Sequence, residues 1–287
     1  MLKLRDGIVE LYRKVATSIP TDVEEALKRA QAEESTPLAG ESLEIILKNI
    51  SLARTTSRPL CQDTGFPVFF VKIPRGLSQQ LIKDVIRDAT RLATQKVPLR
   101  PNAVNSVTEK NTGDNVGELF PLIYAEEVAE QTLTVDLMLK GGGSENIGQL
   151  YKLPALLEDG AGEGAVAERD FEGVRKCVLD AVFKAQGKGC PPYTIGVAVG
   201  GAKDQVTALS KRQLMRRLTD RHPDEALAAF EARLLREVNS LAIGALGFGG
   251  GATALGVKVA AAERHPASYF VDVSFVCWAN RRGRLVW

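Results

Sequence analysis

The sequence predicts an α+β fold of mixed α/β character. A helical N-terminal segment is followed by a mixed sheet with helices, and glycine-rich loops sit at strand ends. Three observations predict it. The 287 residues are 45% hydrophobic and 25% charged, a globular composition that excludes collagen, a coiled coil and disorder. Helical periodicity dominates the first fifty or so residues and then alternates with β-rich runs. The 26 glycines gather where those runs end, as in KGGGSEN (140–146) and GFGG (247–250). A chain of this length buries a core without a disulfide or zinc staple. The expected organisation is one domain over 1–287, with a helical subregion at 1–55 and an α/β region at 56–287.

Each element has its own signal. Leu4, Ile8, Leu11, Tyr12 and Val15 recur at helical spacing. Thr21 is placed to cap a second helix whose first turn carries Asp22, Glu24 and Glu25. Glu41–Ile50 is a third amphipathic run. Phe66–Ile73 is β-rich and leaves the loop CQDTG. Leu77–Thr94 returns to helical period. Residues 97–117 are rich in Pro, Asn and Thr, a long irregular connection of the kind that usually carries function. Pro121–Ala125 and Thr132–Leu139 predict two strands. Phe171–Gln186 predicts a helix, and GKGCPPYTIGVAVGG leads into a short strand. Asp224–Ile243 predicts a helix capped by His222-Pro223 in front and Gly244 behind. Leu241–Ala262 is nearly all apolar or glycine, but it contains Lys258 and Gly249–Gly251. It predicts a buried glycine-rich segment rather than a membrane span. Tyr269–Cys277 predicts a strand that ends on a cysteine. No internal repeat is visible.

Charge narrows the partners. Lys and Arg number 37 against 35 Asp and Glu, which leaves no electrostatic footprint for nucleic acid or an anionic membrane. The N-terminus lacks the apolar core of a secretory signal, so a soluble cytoplasmic protein is expected.

The chain has four cysteines and two histidines. No pair of cysteines has C-x-x-C spacing, which argues against a zinc ribbon or thioredoxin motif, and disulfides are rare in the cytosol. Cys177, in VRKCVLD, reads as a small core residue. Cys61 opens CQDTG, Cys190 sits in GKGCPP, and Cys277 ends a strand at VCWANRR. These three are buried thiols, a nucleophile, or ligands of one cluster. Three thiolates fit a 4Fe–4S cube with one iron left without a protein ligand, and such an iron can act as a Lewis acid.

Other motifs allow more than one reading. GGGSEN presents backbone N–H groups to an anion but lacks the G-K-[ST] of a phosphate-binding loop. Gly247–Ala252 matches G-x-G-x-x-A, and Asp272 falls 20 residues beyond Ala252. With 35 residues remaining after it, the match is too late to open a doubly wound nucleotide domain. His265 is either loop-exposed or functional, Arg100 a surface residue or a carboxylate clamp, and Asp63 a turn former or a site residue.

Together these segments carry a resemblance. CQDTG (61–65), LRPN (99–102), KGGGSEN (140–146), GCPP (189–192), GFGG (247–250) and CWA (277–279) occur in this order. The chain resembles, over nearly its whole length, the alpha subunit or N-terminal catalytic half of the class I iron–sulfur hydro-lyases. That family comprises fumarate hydratases and L(+)-tartrate dehydratases. The resemblance implies a 4Fe–4S cluster on Cys61, Cys190 and Cys277. It implies substrate contacts from Gln62, Asp63, Arg100, Gly142 and His265, with Asp63 and His265 as catalytic residues, all within the 56–287 region. It further implies a separate beta subunit carrying the rest of the active site, since single-chain members continue beyond the third cysteine. Alpha subunits would pair, giving two of each chain. The implied reaction is hydration of fumarate to malate, with tartrate dehydration as the near alternative. A non-catalytic iron–sulfur protein is the more distant one.

Overall fold

The computed structural model describes residues 1–157 and 166–287. Three helices come first: α1 (Leu2–Thr17), α2 (Thr21–Glu33) and α3 (Pro37–Thr56). The apolar stripe read from α1 is fully buried, with Leu4, Ile8, Tyr12 and Val15 each at most 1% exposed. β1 (Phe66–Pro74) leaves the CQDTG loop and α4 (Gln79–Lys96) follows, its first turn closed by the Leu81 N–H donating to Ser78 Oγ at 3.2 Å. Then come β2 (Leu122–Val128), β3 (Thr134–Lys140), the one-turn α5 (Gly142–Asn146) and β4 (Gln149–Lys152). A two-residue ladder pairs β5 (Ala155–Leu156) with β6 (Val166–Ala167). The remaining elements are α6 (Phe171–Ala185), β7 (Tyr193–Val199), α7 (Lys203–Gln213), α8 (Glu225–Ser240), β8 (Ala254–Ala261), β9 (Phe270–Val276) and β10 (Arg282–Val286).

The mixed α+β architecture is as the sequence predicts, with differences in detail. The cap of α8 is Asp224, whose Oδ1 accepts the N–H groups of Ala226 and Leu227, and not His222-Pro223. His222 instead accepts the Asp224 N–H on Nδ1 at 3.0 Å. The glycine-rich run 241–262 resolves into a short 3-10 turn (Ala245–Gly247) and the strand β8. Residues 97–117 are irregular, with an isolated bridge between Val104 and Asn111. Among the described residues no helix is long and apolar enough to cross a membrane.

The chain divides into two compact units, each assembled from separate segments. The first comprises Met1–Pro20, Lys48–Gly142 and Ala279–Trp287; the second comprises Thr21–Leu47 and Gly143–Trp278.

The first unit contains a four-stranded sheet in the order β10-β3-β1-β2. β1 pairs parallel with β2, reached through α4, and antiparallel with β3, which pairs antiparallel with β10. Leu4, Ile8, Phe69, Ile86 and Leu137 form the core between this sheet and helices α1 and α4. Tyr12 joins it, its buried hydroxyl 2.8 Å from Thr90 Oγ1.

The second unit contains a four-stranded sheet in the order β4-β9-β7-β8. β7 pairs parallel with β8, reached through α7 and α8, and antiparallel with β9, which pairs antiparallel with β4. The two sheets thus share one pattern: a central strand, a parallel neighbour reached through helix, an antiparallel neighbour, and an outer antiparallel strand. No sequence repeat announces it, because the outer strand comes last in the first sheet and first in the second.

All seven residues of β7 are buried. A Cβ added at Gly196 would lie 2.2 Å from the Ser210 carbonyl oxygen on α7, so the helix rests directly on the strand backbone. Gly196→Ala should therefore destabilise by about 1–3 kcal/mol through overpacking. Gly40→Ala in α3 meets nothing within 4 Å and should stabilise by about 0.5–1 kcal/mol. Urea denaturation midpoints, falling for the first variant and rising for the second, check both.

Candidate active site

In the first unit, the predicted residues gather where β1 begins and β3 ends. Cys61 is half-buried in the loop before β1. The loop is turned by Asp63, whose Oδ1 accepts the Gly65 N–H at 2.8 Å. Gly65 has φ +78°, and a Cβ there would come within 2.9 Å of the Leu139 and Lys140 backbone. Only glycine passes so close to β3 in that conformation. Asp63 Oδ2 accepts the Gly142 N–H at 2.8 Å, so the acid is both turn former and anchor of the glycine loop.

Arg100 is brought to the same place by backbone contacts. Its N–H donates to Thr64 Oγ1 at 2.9 Å, and its exposed guanidinium lies 3.4 Å from the Gln62 carbonyl. Asn102 Nδ2 donates to the Gly65 carbonyl at 2.8 Å. Asn115, only 3% exposed, accepts the Asn102 N–H at 2.6 Å and donates to the Arg100 carbonyl and Thr94 Oγ1, each at 3.0 Å. Buried polar groups of this kind are fully partnered or costly. Here the partners strap LRPN onto CQDTG.

Sequence reasoning assigned no role to Thr64, Asn102, Asn115 or Arg281. The first two stand inside quoted motifs, and Asn115 lies in the irregular stretch already marked as functional. Arg281, 1% exposed, donates from Nη1 to the Asp63 carbonyl at 2.8 Å. Only its place after the strand-ending cysteine, in ANRR, could have signalled it.

In the second unit, two thiols meet where β7 begins and β9 ends. The Trp278 N–H donates to the Cys190 carbonyl at 3.1 Å, which sets Cys277 beside the GCPP turn. Cys190 has φ +59° and an exposed side chain; Cys277 is half-buried. Tyr193 braces the turn by donating to the Gln186 carbonyl at 2.6 Å and accepting the Gly189 N–H at 3.1 Å. Burial pushes its phenol well above the ordinary range, and both thiols add to the shift. A Cβ on Gly247 would lie 2.7 Å from Gly187 Cα, so the two glycine segments touch backbone to backbone. Cys177 differs from the other three. It is 0% exposed in the core, and burial, with the nearby Asp180, pushes its thiol up to about 12. It is a core residue, as expected.

His265 lies elsewhere. It is exposed in the connection from β8 to β9, where its Nδ1 accepts the Ala267 N–H at 3.1 Å. That connection lies past Val199, at the opposite end of β7 from Cys190 and Cys277. At 3.3 Å per residue the length of β7 separates them by about 20 Å. The second unit therefore does not bring His265 to its two thiols.

The G-x-G-x-x-A match is not a nucleotide loop. It leads into β8 rather than a helix, and the Gly251 N–H donates at 3.0 Å to Glu34. Desolvation raises that carboxyl, but backbone N–H groups of Thr36, Gly251 and Ala252 outweigh it and hold the carboxyl below its ordinary range. Asp272 is also engaged within the chain, accepting from Ser210, Thr207 and Ser274 hydroxyls. Burial nevertheless raises its carboxyl. It lines an open cleft of about 220 Å³ with Glu145, Lys211 and Ser144, where Lys211 pairs with Glu145.

Among the described residues no three His, Cys, Asp or Glu side chains converge as a metal site. The donor set still fits an iron–sulfur group in its chemistry. Three thiols sit in loops outside the core while the fourth is sequestered, and a fully buried guanidinium stands at the Cys61 loop with its Nε unpartnered.

Residues 5–286 match the family model described as fumarate hydratase (fumerase). A Geobacillus stearothermophilus protein assigned as fumarate hydratase class I is 44% identical over 98% of this chain, which spans about half, 54%, of that relative's length. A Methanocaldococcus jannaschii protein assigned as L(+)-tartrate dehydratase subunit alpha is 38% identical, with 98% of this chain and 96% of the relative covered. L(+)-tartrate dehydratase subunit alpha of Escherichia coli K12 is 31% identical, with 99% and 90% covered. Both names denote hydro-lyases, which add or remove water. On the match across its length and on these identities, the chain belongs to the fumarate hydratase family of hydro-lyases.

Proposed function

We propose that this chain is the alpha subunit of an iron–sulfur hydro-lyase that interconverts fumarate and malate together with a separate beta subunit. The observation that carries the reading is the first unit's strand end. There the Cys61–Gly65 loop, Arg100 and the Gly142 N–H are cross-bonded through Asp63, Thr64, Asn102 and Asn115. Cys61, Cys190 and Cys277 would hold a 4Fe–4S cluster, which supplies Lewis acidity toward a hydroxyl and a carboxylate oxygen when bound. Placement in the cytoplasm, where thiols stay reduced, goes with the same reading, as does pairing of alpha subunits.

Hydration of fumarate adds hydroxide at one carbon and a proton at the next, so negative charge develops toward the remote carboxylate. The Arg100 guanidinium is held by its backbone rather than by a competing acid, which leaves its fork available to a carboxylate. Gln62, exposed beside it, offers an amide donor to the same group. Asp63 keeps the glycine loop against β1, fixing the backbone the diacid would approach. The assignment of His265 to substrate rests on the resemblance alone. Tartrate dehydration is the second reading, favoured by the names of the two relatives that this chain covers almost entirely. Tartrate differs from malate by one further hydroxyl, and no residue quoted above distinguishes them.

Two outcomes test the proposal. Anaerobically purified protein should contain iron and sulfide, lost on Cys61→Ser, Cys190→Ser or Cys277→Ser and kept on Cys177→Ser. Equal loss from Cys177→Ser, or no metal in the parent under reconstituting conditions, refutes the ligand assignment. With the partner subunit present, Arg100→Ala should lower kcat/KM for malate by about 10²–10³, the cost of removing one charge-stabilising donor, and Arg100→Lys should recover little of it. Absence of dehydration with both malate and tartrate refutes the enzyme reading.

A further inference from the structure

Arg281 is a buried cation of the first unit, and its hydrogen bond goes to a neutral carbonyl. Its side chain is 1% exposed, Nη1 donates to the Asp63 carbonyl at 2.8 Å, and Nε has no hydrogen-bond partner among the described residues. Arg284, three residues on, shows the usual solution: it meets Asp136 bidentately, at 2.6 and 2.9 Å, near the surface. A guanidinium taken out of water without a counter-charge is costly, and an anionic group bound beside it would offset that cost. The groups beside it identify that region. Asp63 is two residues from Cys61, and Arg281 is four residues beyond Cys277. The Asp63 carboxylate itself is engaged by the Gly65 and Gly142 N–H groups.

We propose that Arg281 is the buried counter-charge for the thiolate-bound iron–sulfur cluster, clamping the Cys61 loop through the Asp63 carbonyl and offering its remaining N–H groups to the anionic assembly. The inference rests on the cluster reading given above. Thiolate ligands carry negative charge, and hydrogen bonds and nearby charge govern how firmly such a cluster is held and where its potential lies. Arg281 is thus a positioning residue; it acts on the cluster and its loop rather than on substrate.

The test uses the full chain, purified anaerobically and reconstituted with ferrous iron and sulfide. Two readouts are followed: the rate of iron release to a chelator, and the rise in Tm between the iron-free and the loaded protein. Arg281→Gln removes the charge and leaves an amide donor about where Nε stands, short of the Asp63 carbonyl that Nη1 reaches; Arg281→Met removes charge and donors alike. Both variants should release iron about ten- to a hundredfold faster, the factor expected for loss of a charge-assisted hydrogen bond, and their Tm rise on loading should shrink. The iron-free Tm of Arg281→Gln should fall less than its loaded Tm does. If Arg281→Met does not fold, Arg281→Gln alone decides the matter.

A purely structural Arg281 gives another pattern: iron-free and loaded Tm fall in parallel and iron release is unchanged. That result overturns the proposal. So does normal iron retention with weakened malate affinity, which would assign the guanidinium to a substrate carboxylate. Failure of the parent protein to take up iron overturns the cluster reading and this inference with it, and is distinct from failure of the variants alone.

Discussion

A strand buried on both faces has no side chain to offer a substrate, and this constraint decides where the chemistry of this protein lies. Each sheet is organised on such a strand. β7 is buried at every position, and β1 is buried at all but Phe66 and Lys72. Few polar groups lie along them because each needs a partner in the core, as the Tyr193 hydroxyl finds in the Gln186 carbonyl. The candidate site residues accordingly occupy the ends: Cys61 and Asp63 just before β1, Cys190 just before β7, and Cys277 just after β9. The antiparallel neighbour of each central strand returns to the same end, which is why Gly142 and Cys277 arrive there.

What holds the first sheet's end is hydrogen bonding between side chains and backbone. The CQDTG and LRPN segments have few apolar side chains, so their positions rest on Asp63, Thr64, Asn102 and Asn115. Each such bond contributes only about 1 kcal/mol net, but an abandoned buried donor costs about 1–3 kcal/mol. The network is correspondingly cooperative, and loss of Asn115 would leave an Asn102 N–H and an Arg100 carbonyl unpaired together. Arg100 is aimed by its own main chain, so its guanidinium needs no fixed internal partner.

Much of this was legible in the sequence. The N-terminal helices, α4 and α6 follow from a period of 3.6 and β3 from alternation, while β1 and β9 follow from runs of β-forming apolar residues. α7 was not legible, because the polar composition of KDQVTALSKRQ hides a helix whose buried positions are Val206, Ser210, Lys211 and Gln213. β8 was hidden by glycine: its apolar run has no alternation, being buried on both faces through most of its length. β10 is short, and its charged residues obscure a strand that closes the first sheet from the far end of the chain. Within the candidate site, the thiol and carboxylate residues declared themselves by type and surroundings. Asn115 and Arg281 did not, because the need for a buried amide or guanidinium exists only once the loops around it have been folded.

The shared sheet pattern supplies a final step. The same geometry ends in different chemistry: an acid, an arginine and glycine N–H groups at the end of the first sheet, and two thiols on a turn tightened by glycine at the end of the second. A strand end fixes only a position and a direction, and the residues of the adjoining loop decide what is placed there. His265 obeys the same rule. It belongs to the connection that leaves β8 and enters β9, and the antiparallel pairing of β7 with β9 sends that connection away from the thiols. Arg264 donates to the carbonyls of His265, Pro266 and Ser268, and Arg169 adds bonds to Pro266 and Ala267. The loop is thus fastened at its own end of the sheet. A closeness of twelve residues in sequence between His265 and Cys277 becomes, across an intervening strand, a separation of nearly the strand's whole length.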